Sequence, residues 1–537
     1  MGTAERADAG RTLRAIARQR LRDGRVSTLA FASVFGLYAA VQPVGYRHAY
    51  PTAAERLGFA RSFAGNVGLR LFYGEPHDVA TVTGYAAWRV GGTLAVAAAA
   101  YGLFAAVRAQ RAEEDAGRAE LLLAGPVGRR TLALAAVLAV GAGALTLWLA
   151  ELAGLGLGGV PLGGAAYLAL ATASVVPVCA GVGALAGQLA PTRRLALELG
   201  GALVGALFLL RAVADTTAGL GWLRWATPLG WAEELRPFAG PRPLVLLLPA
   251  SATFLLALAA RMLAARRDVG AGILPVRDTA DPHLLLLSSP WLQAFRTTRG
   301  TLLAWVASAA VFGYVLGAVS TSISPADVSK ATQAEIARLG AGSITTPAGY
   351  LGFVFLFFVL AVAFFACAQV GAARQEEAGQ LETLLALPVA RGRWLAGRLA
   401  LAAAAAAVLS LATGLATWAG AATAGADVAL PRLLEAGANA LPAAYLFLGL
   451  AALAYAVAPG AGAPVGYGLV AVTFLWQLVG ALLGAPRWLV QATPFAHVAL
   501  VPAQPFRPAA AALMLALGAA AALAALAAFR ARDLAGG

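Results

Sequence analysis

Apolar runs of roughly 20 residues alternate with short polar stretches along the whole chain. They fall near residues 27–45, 84–107, 131–154, 164–188, 195–214 and 243–263, and again near 301–319, 349–372, 395–418, 433–458, 464–483 and 508–529. About 20 apolar residues in a helix cross a hydrocarbon layer ~30 Å thick, and lipid forces such a run to satisfy its own backbone groups. The pattern predicts an all-α polytopic membrane protein with about twelve transmembrane helices. A basic arm, Arg6 to Arg25, precedes the first run in the manner of a signal peptide. No small-x-small cleavage site follows it, and the run has a counterpart in the second half, so it reads as a retained first span.

The polar stretches repeat. Gly117, Glu120, Pro126, Val127 and Arg129 spell G-x2-E-x5-P-V-x-R, and Gly379, Glu382, Pro388, Val389 and Arg391 spell it again. An acidic pair precedes each copy, Glu113–Glu114 and Glu376–Glu377. The copies depart at one place: the first has Glu-Glu-Asp before Ala-Gly where the second has only Glu-Glu. Further on, Trp222-Leu223-x-x-Ala226-Thr227-Pro228 matches Trp488-Leu489-x-x-Ala492-Thr493-Pro494, and earlier Val34-Phe35-Gly36 matches Val311-Phe312-Gly313. Three matches in one order predict two parallel six-span halves, residues 1–263 and 297–537, joined by a cytoplasmic linker at 264–296.

Helical spacing through the first motif puts Ala116, Ala119 and Leu123 on one side, with Glu113, Gly117 and Glu120 on another. Ala378, Leu381 and Leu385 form the matching stripe in the second copy. Pro126 and Pro388 stop each helix, because proline disfavours helical geometry in the residue before it. Arg129 and Arg391 then snorkel at the membrane surface. The expected element is a short amphipathic helix with an acidic exposed side. A helix that merely anchored to an anionic leaflet would be basic, so the carboxylates suit a protein partner.

Composition agrees with the spans. Apolar residues make up 60% and charged residues 12%, with mean hydropathy +0.74; a soluble domain averages about 45–50% and about 25%. The net charge of +14 does not signal nucleic acid, since only one of the 40 basic residues, Lys330, is a lysine and topology accounts for the arginines. With the N-terminus inside, 26 basic residues fall in cytoplasmic segments and 12 in outer ones. That asymmetry predicts a multi-pass protein of the cytoplasmic membrane with both termini cytoplasmic. Cys179 and Cys367 lie inside apolar runs, and His48, His77, His283 and His497 share no ligand spacing, so neither a disulfide framework nor a metal site is expected. Arg89, Glu151, Glu198 and Arg211 lie in spans but close enough to an interface for anchoring to explain them. No buried chain of carboxylates is expected, and the apolar interior suits a lipophilic substrate.

At the repeated loop the sequence resembles the permease subunits of the ABC-2 superfamily, most closely the fused twelve-span actinobacterial permeases of polyketide-antibiotic (tetronasin-like) exporters. The resemblance implies that the segments near 111–125 and 374–387 are coupling helices that contact an ATPase subunit. It places that role on Glu113, Glu114, Gly117, Glu120, Pro126 and Arg129, and on Glu376, Glu377, Gly379, Glu382, Pro388 and Arg391. It also implies extracellular helices before the last span of each half, at Trp222, Thr227 and Pro228 and at Trp488, Thr493 and Pro494. The pattern G-x4-G-K-[ST] is absent, so ATP and Mg²⁺ would be bound by a separate ATPase, two copies for two loops. The expected function is export of a lipophilic drug, antibiotic or polyketide-like compound, with membrane lipids as the surroundings. Two other readings share some features. Proton-coupled drug transporters of the major-facilitator type also have twelve spans, and Asp115 to Arg130 resembles their loop, but the second copy lacks the aspartate. A polytopic membrane enzyme would need clustered polar catalytic residues, which the loops do not present.

Overall fold

A computed structural model of the chain describes residues 3–63, 67–115, 117–125, 127–266, 272–274, 290–321, 346–385, 390–479 and 487–532. All regular elements among the described residues are helices, and eleven of these stretches are long and apolar enough to cross a membrane. The protein is an all-α polytopic membrane protein. The predicted run at 464–483 coincides with a further helix, Gly462–Val479, which ends where the described residues end. The chain divides into two compact units, Met1–Ala280 and Asp281–Gly537.

In the first unit, α1 (Thr3–Ala49), α2 (Ala53–Phe63), α3 (Val67–Tyr73) and α4 (Val82–Asp115) are followed by a short α5 (Arg118–Ala124). Then come α6 (Arg129–Leu157), α7 (Leu162–Ala173), α8 (Val175–Leu189), α9 (Arg193–Thr216), α10 (Pro228–Glu234) and α11 (Leu247–Ala264). The basic arm is not a separate segment. It forms the first turns of α1, where Ile16 and Ala17 pack on Ala135 of α6. The second unit holds α12 (Pro290–Val319), α13 (Pro347–Leu385), α14 (Arg391–Thr423), α15 (Leu430–Ala438) and α16 (Leu441–Val457). It continues with α17 (Gly462–Val479), α18 (Arg487–Gln491) and α19 (Pro508–Ala531).

The Val-Phe-Gly repeat marks a helix crossing in each unit. A Cβ on Gly154 of α6 would lie 2.1 Å from the Gly36 carbonyl, and one on Gly313 of α12 would lie 2.7 Å from the Thr417 hydroxyl of α14. Without a hydrophobic driving force between lipid-facing helices, such close approach of small residues supplies the packing.

The fourth predicted span of each half is broken, which the apolar pattern did not reveal. In the first unit α7 ends at Ala173, four residues before Pro177; in the second α15 ends at Ala438, four residues before Pro442. A proline lacks the N–H for its i−4 carbonyl and its ring collides with that carbonyl, so both helices restart around it. Asn439 at the second break donates its Nδ2 to the Ala499 carbonyl at 2.7 Å.

Candidate functional site

Each unit gathers helix ends around its repeated loop. In the first unit α4 continues past its apolar stretch to Asp115; Gly117 then takes φ +69° and α5 begins. In the second unit α13 runs without a break through Glu376, Glu377, Gly379 and Glu382 to Leu385. The first copy has one residue more, Asp115, between its acidic pair and Ala-Gly. One inserted residue rotates every downstream side chain by about 100° around a helix of 3.6 residues per turn, and a left-handed glycine interrupts the helix instead. The short amphipathic helix expected in both copies is therefore found only in the first.

The carboxylates expected to face outward divide into two groups. Glu114 accepts from Arg111 at 2.9 Å, and Arg111, fully buried, also donates to the carbonyls of Gly187, Ala190 and Pro191 at the end of α8. Glu376 pairs with Arg398 and accepts from the Trp394 indole, while Glu377 pairs with Arg532, which also donates to the Tyr455 carbonyl near the end of α16. Glu114 and Glu376 face inward, correcting the expectation that they stay free for a partner, and Glu377 faces inward with them. Arg111 and Arg532 also serve carbonyls that a helix C-terminus leaves unpaired. Glu120, Gly117 and Arg129 are exposed, and Leu123 is half-buried. Pro126, Pro388 and Ala116 lie outside the described residues, as do the side chains of Glu113, Ala119 and Glu382.

Arg129 and Arg391 do more than face headgroups. At the first residue of α6, Arg129 donates to the Ala264 carbonyl at the end of α11 (3.4 Å). At the first residue of α14, Arg391 donates to the Arg532 carbonyl just past α19 (3.3 Å). In both units this arginine ties the third span to the last.

The Trp-Leu-x-x-Ala-Thr-Pro segments lie at the opposite end of each unit. Thr227 caps α10 by accepting from the Gly230 N–H (3.0 Å), and Thr493 caps the turn Pro494–His497 by accepting from the Ala496 N–H (3.3 Å). Pro228 and Pro494 take the first positions, where no N–H is required. Both threonines are buried and both tryptophans, Trp222 and Trp488, are exposed.

In the first unit this end carries a charge network. Arg224, a variable position of the motif, donates Nε to Asp215 Oδ1 (2.7 Å) and Nη1 to Glu234 Oε1 (3.2 Å), and pairs through Nη2 with Glu75. Arg211 donates to Glu233 Oε1 (2.6 Å) and to the Leu71 and Phe72 carbonyls that end α3, with its Nε 3.6 Å from Asp215. Glu234 also receives Arg236 (3.1 Å) and Arg242 (2.8 Å). The loop after α10 holds Arg236 at φ +48° and Phe238 at φ +68°, conformations that side-chain-bearing residues adopt only when surroundings impose them. Burial, reinforced by Asp215 and opposed by Arg211, pushes the Glu233 carboxyl up to about 8. Burial and the nearby Arg236 lower His77 below its usual range.

A cavity of ≈ 50 Å³ lies beside this network, lined by Tyr73, Glu75, His77, Arg211, Glu233 and Arg236 on its polar side and by Gly91, Gly92, Ala95, Leu168 and Thr172 on its apolar side. Thr172 donates to Glu151 Oε1 (3.1 Å), and Glu151 is fully buried. The span charges thus separate. Glu198 is an exposed partner of Arg194 (2.8 Å), as anchoring predicts. Arg211 and Glu151 are buried, and Arg89 is half-buried with its guanidinium 3.9 Å over the Tyr73 ring. Glu151, Asp215 and Glu234 are all buried; Asp215 and Glu234 share Arg224, while Glu151 is bonded to Thr172. The signal available in the sequence was a charge at the variable position of a repeated motif, followed closely by Glu233 and Glu234.

Among known proteins, a family model described as "Multidrug efflux system permease Rv1217c, C-terminal domain" matches residues 58–263 and 287–530. The chain is also 33% identical over 490 residues to the multidrug efflux system permease protein Rv1217c of Mycobacterium tuberculosis (strain ATCC 25618 / H37Rv), covering 90% of this chain and 88% of that protein.

Proposed function

Because the chain belongs to the multidrug efflux permease family represented by Rv1217c, we propose that it is the membrane subunit of an ATP-driven exporter of lipophilic small molecules. A separate ABC ATPase, with its ATP and Mg²⁺, docks on the segments near 111–125 and 374–387, one copy at each. The observation that carries this reading is the construction of those segments. Each repeated loop prolongs the second span beyond its apolar stretch and is fastened by ion pairs, Arg111–Glu114 in one unit and Glu376–Arg398 and Glu377–Arg532 in the other. The arginines of these pairs reach neighbouring helices, so a push on the loop moves the spans. Glu120 remains exposed to meet arginines or lysines of the partner, and charge-assisted bonds of that kind contribute about 1.5–3 kcal/mol each. The distribution of arginines supports loops and termini on the cytoplasmic side of the cell membrane.

The double variant Glu120→Ala/Glu382→Ala tests the reading. It inserts and folds normally, co-purifies with less ATPase and loses export, while either single change is milder. Normal export by the double variant at unchanged expression overturns the coupling role. The buried Glu151 and the Glu233 carboxyl favour a second reading, proton-coupled export. Export that persists in ATP-depleted cells and stops with a protonophore would select it.

A further inference from the structure

We propose that the cavity bordered by α4, α7, α9 and α10 receives the protonated amine of an amphiphilic small molecule, with Glu151 as its counterion and Thr172 as the bridge between them. Calling that molecule a substrate rests on the efflux reading above; the binding itself does not. Glu151 is fully buried in α6, its Oε1 accepts from Thr172, and its Oε2 has no partner. No cation pairs with it among the described residues, although an ionisable group within a membrane span is costly to leave uncompensated and is a functional candidate by default. Thr172 lies in the cavity wall, so Glu151 stands one hydrogen bond behind that surface.

The other charges at the cavity are matched. Arg211 holds Asp215 and Glu233, Arg236 holds Glu234, and Glu75 holds Arg70 and Arg224. Burial disfavours a charge on His77. An anion entering the cavity would compete with carboxylates already in place, whereas a cation completes the one that lacks a partner. Gly91, Gly92, Ala95 and Leu168 give the rest of the wall an apolar surface. A volume of ≈ 50 Å³ compares with about 10–15 Å³ for a single water. The cavity therefore fits an ammonium head and its first carbons rather than a whole drug. The repeat offers no second copy: the residue 262 positions after Glu151 is Thr413, whose hydroxyl is bonded to the Leu409 carbonyl.

Calorimetry on the full chain in phosphatidylcholine nanodiscs, with empty nanodiscs as the blank, tests this with hexylammonium, hexan-1-ol and hexyl sulfate. Hexylammonium should saturate and bind at least tenfold tighter than the other two. Glu151→Gln should abolish that preference, Thr172→Val should weaken hexylammonium severalfold, and Glu198→Gln, at the exposed pair, should change nothing. Equal binding of hexan-1-ol, or full hexylammonium affinity in Thr172→Val or in folded Glu151→Gln, overturns the proposal. No ATPase or ATP is present, so failure here leaves ATP-driven export standing, and failure of the Glu120→Ala/Glu382→Ala test leaves this site standing.

Discussion

The two units repeat a scaffold but not its electrostatics. Where the first unit has Arg211 and Arg224 between Asp215, Glu233 and Glu234, the second has Gln477 at the place of Arg211 and Val490 at the place of Arg224, each 266 positions on. Gln477 accepts a hydrogen bond from the capping Thr493 (2.9 Å) and borders a smaller cavity of ≈ 30 Å³ with Phe495 and Gln504. One unit thus closes this end with buried ion pairs; at the matching positions the other has the neutral Thr493–Gln477 bond, with an exposed Arg507 at the cavity donating to Gln504 (3.3 Å). A buried ion pair is poor evidence of stability, because desolvation offsets most of the attraction. The network is better understood as shaping a charged cavity in the first unit, whereas the matching positions of the second unit, Gln477 and Val490, carry no charge.

The largest effect expected from this contrast is at Arg224. Replacing it with alanine leaves the buried Asp215 without its nearest cation, while Glu234 keeps Arg236 and Arg242, and breaking a buried pair costs about 3–5 kcal/mol. Gln477→Leu in the second unit removes a neutral bond, at a cost of about 1 kcal/mol. Thermal unfolding of the full chain in detergent compares them. Equal shifts would mean that the charges are solvated and that the contrast between units has no energetic content.

A smaller effect comes from pH. The Glu233 carboxyl sits at about 8 in the folded chain, against about 4.3 when unfolded. Between those values the folded state binds more protons than the unfolded state, so its contribution to stability is full below about pH 4, declines as pH rises and is lost by about pH 8. The unfolding midpoint should therefore fall from pH 5 to pH 8.5, and Glu233→Gln should flatten the slope. An unchanged slope in the variant would show that Glu233 is ionised throughout.

How much of this could be read from the sequence depends on what each feature rests on. Spans rest on runs of apolar residues, and the repeat on fixed spacings, so both were legible. Pro177 and Pro442 were visible, but uninterrupted hydrophobicity around them concealed the breaks they cause. The positions of Glu114, Glu376 and Glu377 were legible while their directions were not. Their partners are Arg111 one turn earlier, Arg398 in the next span and Arg532 at the far end of the unit, and only folding brings the last of these close. Glu151 was misjudged for a similar reason. Its distance from the end of a run suggested an interface, whereas packing of α6 on neighbouring helices decides its burial.

The finest difference between the units lies in one residue of the repeated loop, and it predicts effects of opposite sign. Gly117 stands at φ +69° with open space where a Cβ would be, so Gly117→Ala meets no clash and suffers only the left-handed backbone penalty, about 1–2 kcal/mol. Gly379, its counterpart, lies inside the continuous α13, where alanine is favoured over glycine by about 1 kcal/mol. The first change should lower the unfolding midpoint and the second should raise it, although the two glycines occupy the same place in the same motif. Deleting Asp115 should remove the distinction, because the first copy then has the spacing of the second and α4 can run on through Gly117. In that background Gly117→Ala should stabilise. If Gly117→Ala destabilises equally with and without Asp115, the inserted residue is not what breaks the helix.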